Sequence, residues 1–421
     1  MPSSTQSPPT TASNATRLAI LCHRVGPYHF ARTRAAGKII NTTLIEVFKN
    51  DDVYKWSLVP GAEGFDRRTL FDKDSQPTAE LLRGLHQALG ESRPNVVAIP
   101  GWADVVAFGA IQWCASHSVP VVVMSESTEW DERRRPWKEW VKRRIVKLCA
   151  AGLVGGRPHA DYLARLGMAP NRIFLGYDAV DNGYFAGKAA EVRSQLPQIR
   201  ASHRLPENYF LASARFVEKK NLLNLIRAYA RYRELAEKTR KPASDPRPPA
   251  ADLWFLVLLG DGPLRSDLSH LISDLRLQHS VLLPGFIQYG ELPVYYACAK
   301  AFLHASTVEQ WGLVVNEAMA SGLPVLVSNR CGCARDLVHE GVNGFTFNPR
   351  DIEQLAQLML KISAPDFPLS DFGAASRRII ADWSPDRFAS GLRQAVESAL
   401  ASPKPHLGTA DRLLLQLLSR F

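Results

Sequence analysis

Short runs of Val, Leu, Ile and Ala, each closed by Gly or Pro and each followed by a stretch with helical spacing, recur along the whole chain. In the first half they are RLAILC (17–22), KWSLVP (55–60), NVVAIPG (95–101), VPVVVMSES (119–127), AAGLVGG (150–156) and RIFLGYDA (172–179). In the second they are YFLASAR (209–215), DLWFLVLLGDG (252–262), SVLLPGF (280–286), KAFLHAS (300–306), PVLVSN (324–329) and GFTF (344–347). Runs apolar on both sides are strands covered on both faces, and the intervening helices make the strands parallel. A chain of 421 residues exceeds one ordinary core. The expected architecture is therefore α/β: two Rossmann-like, doubly wound domains facing each other across a cleft, with ligands beyond the carboxyl ends of the strands.

The expected divisions are a disordered tail (1–16), an amino-terminal domain (17–182), a carboxy-terminal domain (183–382) and closing helices (383–421). The seam is placed after Asp181, through VRSQLPQIRASHRLPE. The Pro-rich, charged segment 238–252 reads as a surface loop between a helix and the next strand. Ser384-Pro385 is an N-cap followed by Pro at the first helical position, and the final ADRLLLQLLSRF is a helix with a Leu-rich face that docks on the body or on a partner.

A hydrophobic fraction of 46% with 22% charged residues suits a globular protein. No run approaches the roughly 20 apolar residues of a membrane span. The Ser/Thr/Pro-rich start lacks an apolar signal core. The six cysteines are scattered, and Cys331-x-Cys333 lacks the further ligands of a zinc site, so a reduced, cytoplasmic protein is expected. Most of the net charge of +10 is local, because eight basic residues and one acid fall between Arg133 and Lys147. That patch excludes a general polyanion-binding surface. It coincides with a helix begun by Pro136, in which Trp137, Val141, Ile145 and Leu148 share a face. Residues 133–148 read either as a core helix with a solvated basic face or as a helix lying on an anionic membrane, peripheral at the inner face.

The chemistry concentrates in EQWGLVVNEAMASGLPVLVS. Glu309 follows a strand, Gly312 and Leu313 open a helix, and Glu317 lies inside it. The bare N–H groups of such a helix start hold an anion, and carboxylates on either side can bind the hydroxyls flanking it. A sugar on one side of a diphosphate and a ribose on the other suit that layout. Upstream, Arg215 ends a strand and Lys220 follows five residues later, placing a forked and a compact cation at a strand-to-helix turn.

These strings resemble the Glu-x7-Glu and Arg-x4-Lys motifs of the retaining glycosyltransferases of family 4 (glycosyl transferases group 1), which have the GT-B fold. VLLGDGPLRSDL (257–268) resembles the family's Gly-x-Gly-Pro strand end, and the segment from 383 resembles its crossing-back helix. The chain departs from the family's Gly-Phe-Gly at Gln310-Trp311-Gly312, and Asn221 replaces a frequent Gly. The resemblance implies that Glu309 contacts the transferred sugar and Glu317 the ribose. Arg215, Lys220 and the amides of Gly312 and Leu313 would stabilise the leaving diphosphate. It also implies retention of configuration, no metal, and no cofactor beyond the nucleotide-sugar co-substrate.

On the acceptor side, HRVGPYHFAR (23–32) puts Gly26 and His29 at the end of the first strand, where the family has a Gly-containing loop. Glu126, closing VVVMSES, stands near where many members have a His; it binds a hydroxyl or pairs with Arg133–Arg135. The expectation is transfer of a sugar from a nucleotide-diphosphate donor to a hydroxyl acceptor, a glycan or lipid-linked saccharide, as in polysaccharide biosynthesis. A sugar-nucleotide epimerase of the same architecture is the alternative. Nucleic acid is not an expected partner, because no stacking aromatics in a recognised nucleic-acid fold accompany the basic patch.

Overall fold

A computed structural model describes residues 16–50, 58–73, 76–239 and 253–419. They form two wholly parallel sheets. The first contains β1 (Arg17–Cys22), β2 (Asn41–Phe48), β3 (Asp66–Phe71), β4 (Val96–Pro100), β5 (Val121–Ser125), β6 (Ala151–Val154) and β7 (Ile173–Leu175), in the order β3-β2-β1-β4-β5-β6-β7. The second contains β8 (Tyr209–Ser213), β9 (Phe255–Leu259), β10 (Val281–Gly285), β11 (Ala301–His304), β12 (Val325–Ser328) and β13 (Gly344–Phe347), in the order β10-β9-β8-β11-β12-β13. Strand order reverses between β1 and β4 in one sheet and between β8 and β11 in the other. At those points neighbouring connections leave to opposite faces and open a crevice at the strands' carboxyl ends.

The central strands are fully covered, as their composition requires: in β1 every residue after Arg17 is buried. Helices pack on both faces of each sheet, giving two apolar layers per sheet. Ser384 caps the helix Pro385–Ala401, accepting from the Arg387 N–H. This helix returns to the first sheet, burying Phe388, Leu392 and Val396 beside the helix Pro27–Gly37. The last helix, Thr409–Leu418, docks on the body through Leu415, which sits in the other layer of the first sheet.

One expectation fails. KWSLVP is not a strand over 58–60, and 55–57 lie outside the described residues. The strands there are β2 and β3. β2 escapes the apolar pattern because Glu46 is buried in it, accepting from the Val25 N–H at 2.7 Å, Arg67 Nη2 at 2.8 Å and Thr69 Oγ1 at 2.8 Å. β3, DRRTLF, is a polar edge strand with no fully buried residue. The stretch after Asp181, where the seam is placed, is helical. It forms the helices Asn182–Ser194 and Leu196–His203, and Phe185, Ala189 and Val192 pack into the core of the second sheet. Of the expected loop at 238–252, residues 240–252 lie outside the described residues.

The two halves meet across the cleft. Arg157 grips Asp336 through Nε at 2.8 Å and its own N–H at 3.0 Å, and Trp130 Nε1 donates to the Arg330 carbonyl at 3.1 Å.

Candidate active site

The second sheet's reversal point carries the motif residues. Beyond β8 the turn bearing Arg215, which is exposed, is pinned by the Phe216 N–H to the Asp261 carbonyl at 2.8 Å. Gly260 permits this approach, because a Cβ there would overlap the Ala214 carbonyl. A 3-10 turn (Glu218–Lys220) follows, and Asn221 adopts φ 58°. That left-handed position explains why glycine is the usual residue there and why Asn is tolerated. Asn221 Nδ2 donates to the Ala305 and Pro349 carbonyls at 3.1 and 2.7 Å, tying this turn to the end of β11. As a result Lys219 faces solvent, and Lys220 pairs directly with Glu309.

Glu309 also accepts from His304 Nε2 at 3.0 Å and Ser306 Oγ at 3.2 Å. Burial alone would raise its pKa, but the His304 hydrogen bond and the Lys220 charge overcome that and hold the carboxyl well below the usual carboxylate range. Its loop is braced from below: the Gly332 N–H donates to the Glu309 carbonyl at 3.1 Å and the Cys333 N–H to the Trp311 carbonyl at 3.2 Å. A Cβ on Gly332 would overlap the Gln310 carbonyl oxygen and lie 2.8 Å from the His159 ring. Gly332→Ala is therefore expected to displace the Glu309–Gly312 loop and to destabilise the fold by about 1–3 kcal/mol. Thermal melts and nucleotide-sugar binding check this; unchanged values in both would show that the loop tolerates the shift.

Gly312, at φ 105°, turns the chain into the helix Leu313–Ala320; the Val315 N–H donates to the Gly312 carbonyl at 2.8 Å, and the Leu313 and Val314 N–H groups ahead of it stand before any intrahelical acceptor. Within that helix Glu317 is completely buried. Its oxygens are taken by two phenols: Tyr296 Oη donates at 2.6 Å, and Tyr28 donates from the amino-terminal domain. Burial raises the Glu317 pKa to about 7, partly offset by the two tyrosine hydrogen bonds. Tyr28 packs edge-on against Tyr289, which stacks on Tyr184 at 5.1 Å.

The first sheet's reversal point opens into a cavity of about 390 Å³, lined by His29, Arg32, Glu126, Tyr177 and, from the other domain, Leu313. Gly26 caps the helix Pro27–Gly37, and His29 Nδ1 accepts the Gly26 N–H at 3.3 Å. Burial, with Arg32 and His23 nearby, lowers the His29 pKa to about 3, so its ring is a neutral helix cap on the cavity wall. Glu126 does not pair with Arg133–Arg135; it lies against Asp178.

The structure thus brings Lys220 to Glu309, the Gly26–His29 segment to Glu317 through Tyr28, and Glu126 into one cavity with Leu313. Sequence reasoning passes over Tyr296, His304, Asp178 and His159, which sit in apolar runs or act across the domains. His159 Nδ1 accepts the Gly156 N–H at 3.1 Å, so its Nε2–H donates to the Gln310 carbonyl at 2.8 Å and fastens the Glu309 loop to the amino-terminal domain. Among the described residues no group of three or more His, Cys, Asp or Glu could hold a metal ion.

The model of the family described as glycosyl transferases group 1 matches residues 197–378, the span that carries Arg215, Lys220, Glu309 and Glu317. The carboxy-terminal domain belongs to the glycosyl transferases group 1 family. The whole fold is GT-B, with solved glycosyltransferases as neighbours. The sucrose-phosphate synthase of Thermosynechococcus elongatus superimposes with a TM-score of 0.69 at 17% identity, covering 90% of this chain and 98% of that one. Anabaena HepE in complex with UDP gives 0.65 at 16% identity, covering 91% and 100%. In sequence, the chain is 32% identical over 278 residues to the sulfoquinovosyl transferase SQD2 of Arabidopsis thaliana, covering 62% of this chain and 48% of that protein. It is 29% identical over 178 residues to the alpha-monoglucosyldiacylglycerol synthase of Acholeplasma laidlawii, covering 42% and 40%. The matches span about half or less of the length of these curated relatives.

The basic segment forms the helix Pro136–Val146. Ile145 and Val146 are buried, but Trp137 does not join them: it is 60% exposed, and Trp140 is 56% exposed. Arg134 turns inward to Asp131, Glu139 and Tyr162, and Arg144 binds Asp411 of the last helix through Nε at 3.0 Å. Arg133, Arg135, Arg143 and Lys147 stay exposed, and so do Leu413 and Leu417 on the last helix. No helix among the described residues is long and apolar enough to cross a membrane.

Proposed function

We propose that the protein is a glycosyltransferase that moves a sugar from a nucleoside-diphosphate sugar to a hydroxyl acceptor, with retention of configuration and without a metal. The observation that carries this reading is the meeting of Lys220, Glu309 and a helix N-terminus at the reversal point of the group 1 domain. Lys220 and Glu309 hold each other before the donor arrives. The diphosphate then takes Lys220, with Arg215 and the Leu313 amide adding positive charge where negative charge grows as the glycosidic bond breaks. The freed Glu309 receives a sugar hydroxyl, and Glu317 exchanges the Tyr28 phenol for the ribose. The acceptor oxygen bonds to the anomeric carbon from the face the diphosphate leaves, and its proton passes to the leaving phosphate oxygen.

UDP-, GDP- and ADP-sugars should be compared by thermal shift, since a bound donor raises apparent stability by mass action. The preferred donor should then be turned over in EDTA, with the anomeric configuration of the product read by NMR. Inversion, or a requirement for added metal, would overturn the corresponding part of the reading. Failure of every donor to stabilise the protein or to be turned over would overturn the whole.

The relative named for monoglucosyldiacylglycerol synthesis favours an acceptor hydroxyl on a glycerolipid. The two exposed indoles among free cations suit an anionic bilayer surface. Flotation with vesicles containing anionic lipid is expected to retain the protein, and Trp137→Ala with Trp140→Ala to release about nine-tenths of it, given the small reserve of a single interfacial helix. No flotation at moderate salt would remove the membrane from this reading.

A further inference from the structure

Asp178 follows β7 at the junction of the domains and is completely buried, and neither of its oxygens accepts a hydrogen bond among the described residues. The nearest cation, Arg32, stands 3.9 Å away and directs its Nη1–H to the Tyr177 carbonyl at 2.6 Å. Within hydrogen-bond reach lies another acceptor, the carboxyl of Glu126. The far side is walled off: a Cβ on Gly155 would come 2.5 Å from Asp178 Oδ2 and 2.9 Å from the Trp311 indole. Two carboxylates in contact, one of them buried without donors, are tolerated only if a proton sits between them. The buried partner keeps it, because burial and the neighbouring Glu126 charge both push Asp178 up, against the opposing pull of Arg32. His159 and Cys333 also face this pair, the first neutral through burial and the second a buried thiol. Glu126, by contrast, is half-buried and opens onto the cavity walled by Leu44, Met124, Leu313 and Phe388.

We propose that Asp178 is a neutral carboxylic acid that donates its proton to Glu126, so that the free oxygen of Glu126 faces the cavity and accepts a hydrogen bond from the hydroxyl of the acceptor. Asp178 is then a positioning residue and Glu126 the group that orients the nucleophile. The apolar walls suit a hydroxyl carried on a largely apolar body. Glu126 takes up no proton during transfer, which leaves the proton's route to the leaving phosphate unchanged. This inference rests on the glycosyltransferase reading, but the state of Asp178 can be tested apart from it.

Infrared spectra at neutral pH should show a protonated-carboxyl carbonyl band that Asp178→Asn removes, whether or not any sugar is transferred. In kinetics, an Asn amide can still donate to Glu126, so Asp178→Asn should hold the acceptor KM within about threefold, whereas Asp178→Ala and Glu126→Gln should each raise it about tenfold or more, as expected for one hydrogen bond to a charged group. The wild-type acceptor KM should climb once the pH rises high enough to ionise Asp178, and the Asn variant should not follow. Absence of the band, or an Asn variant as impaired as the Ala variant, would overturn the proposal. Should Asp178→Ala not fold, the band and Glu126→Gln still decide it. A band that Asp178→Asn removes, in a protein that turns over no donor, would uphold the proton-sharing pair while refuting the assigned reaction.

Discussion

Lys220→Met is expected to lower the stability of the empty protein and to slow transfer severely, and the two effects separate in a double variant. Lys220 and Glu309 are both largely buried, so removing the ammonium leaves a carboxylate with only His304 and Ser306 for support. Breaking a buried pair from one side costs about 3–5 kcal/mol, because the remaining charge stays desolvated. The same change should reduce kcat about 100- to 1000-fold, the usual scale for losing one charge-stabilising group at a developing anion. Adding Glu309→Gln removes the stranded charge, so Lys220→Met/Glu309→Gln should recover most of the stability while staying inactive. Denaturant melts together with donor turnover test this. If the double variant is no more stable than the single one, the loss in Lys220→Met does not come from a stranded Glu309 charge. If the single variant keeps its turnover, Lys220 does not meet the diphosphate.

Glu317→Gln should change both stability and donor affinity in a pH-dependent way. The folded-state pKa of about 7 lies above the ordinary 4.5. A raised carboxyl favours the folded state below its unfolded pKa, and that advantage is lost as pH rises through the folded value. Over pH 4.5 to 7 this amounts to about 3 kcal/mol. Relative to wild type, Glu317→Gln should therefore gain stability on going from pH 5 to pH 8. Donor binding has the opposite slope: a ribose diol needs the ionised carboxylate, so wild-type affinity should strengthen between pH 6 and 8, while the Gln variant stays weak and flat. Tyr28→Phe isolates the competitor. Its phenol occupies the oxygen the ribose requires, and hydrogen bonds to a charged group contribute about 1.5–3 kcal/mol. At pH 8 the Phe variant should bind intact nucleotide sugar roughly tenfold more tightly. Weaker or unchanged binding would mean that Tyr28 does not stand in the donor's place.

The parallel sheets and the Arg-x4-Lys and Glu-x7-Glu spacings are legible because each is local. A strand end, a turn and a helix start within a dozen residues leave a pattern in composition, down to the glycine-like conformation of Asn221. The strands β2 and β3 are not legible, since a buried Glu46 held by Arg67 and Thr69 replaces the alternation that marks a strand. The partners of the motif carboxyls are hidden for another reason. Tyr28 meets Glu317 across 289 positions and His159 meets Gln310 across 151, and neither contact has a periodic signature. The helix Pro136–Val146 shows the same limit. Its spacing puts Trp137 on the inner face, yet Tyr162, Arg134 and Glu139 fill that ground with polar contacts and leave the indole outside.

The tether from His159 to the Gln310 backbone has a bearing on engineering. Chimeras that join this carboxy-terminal half to the amino-terminal half of a relative would sever it, along with the Arg157 grip on Asp336. Under the proposed reaction, swapped proteins should then lose rate, unless the graft carries the segment from Gly155 to Asp161 with it.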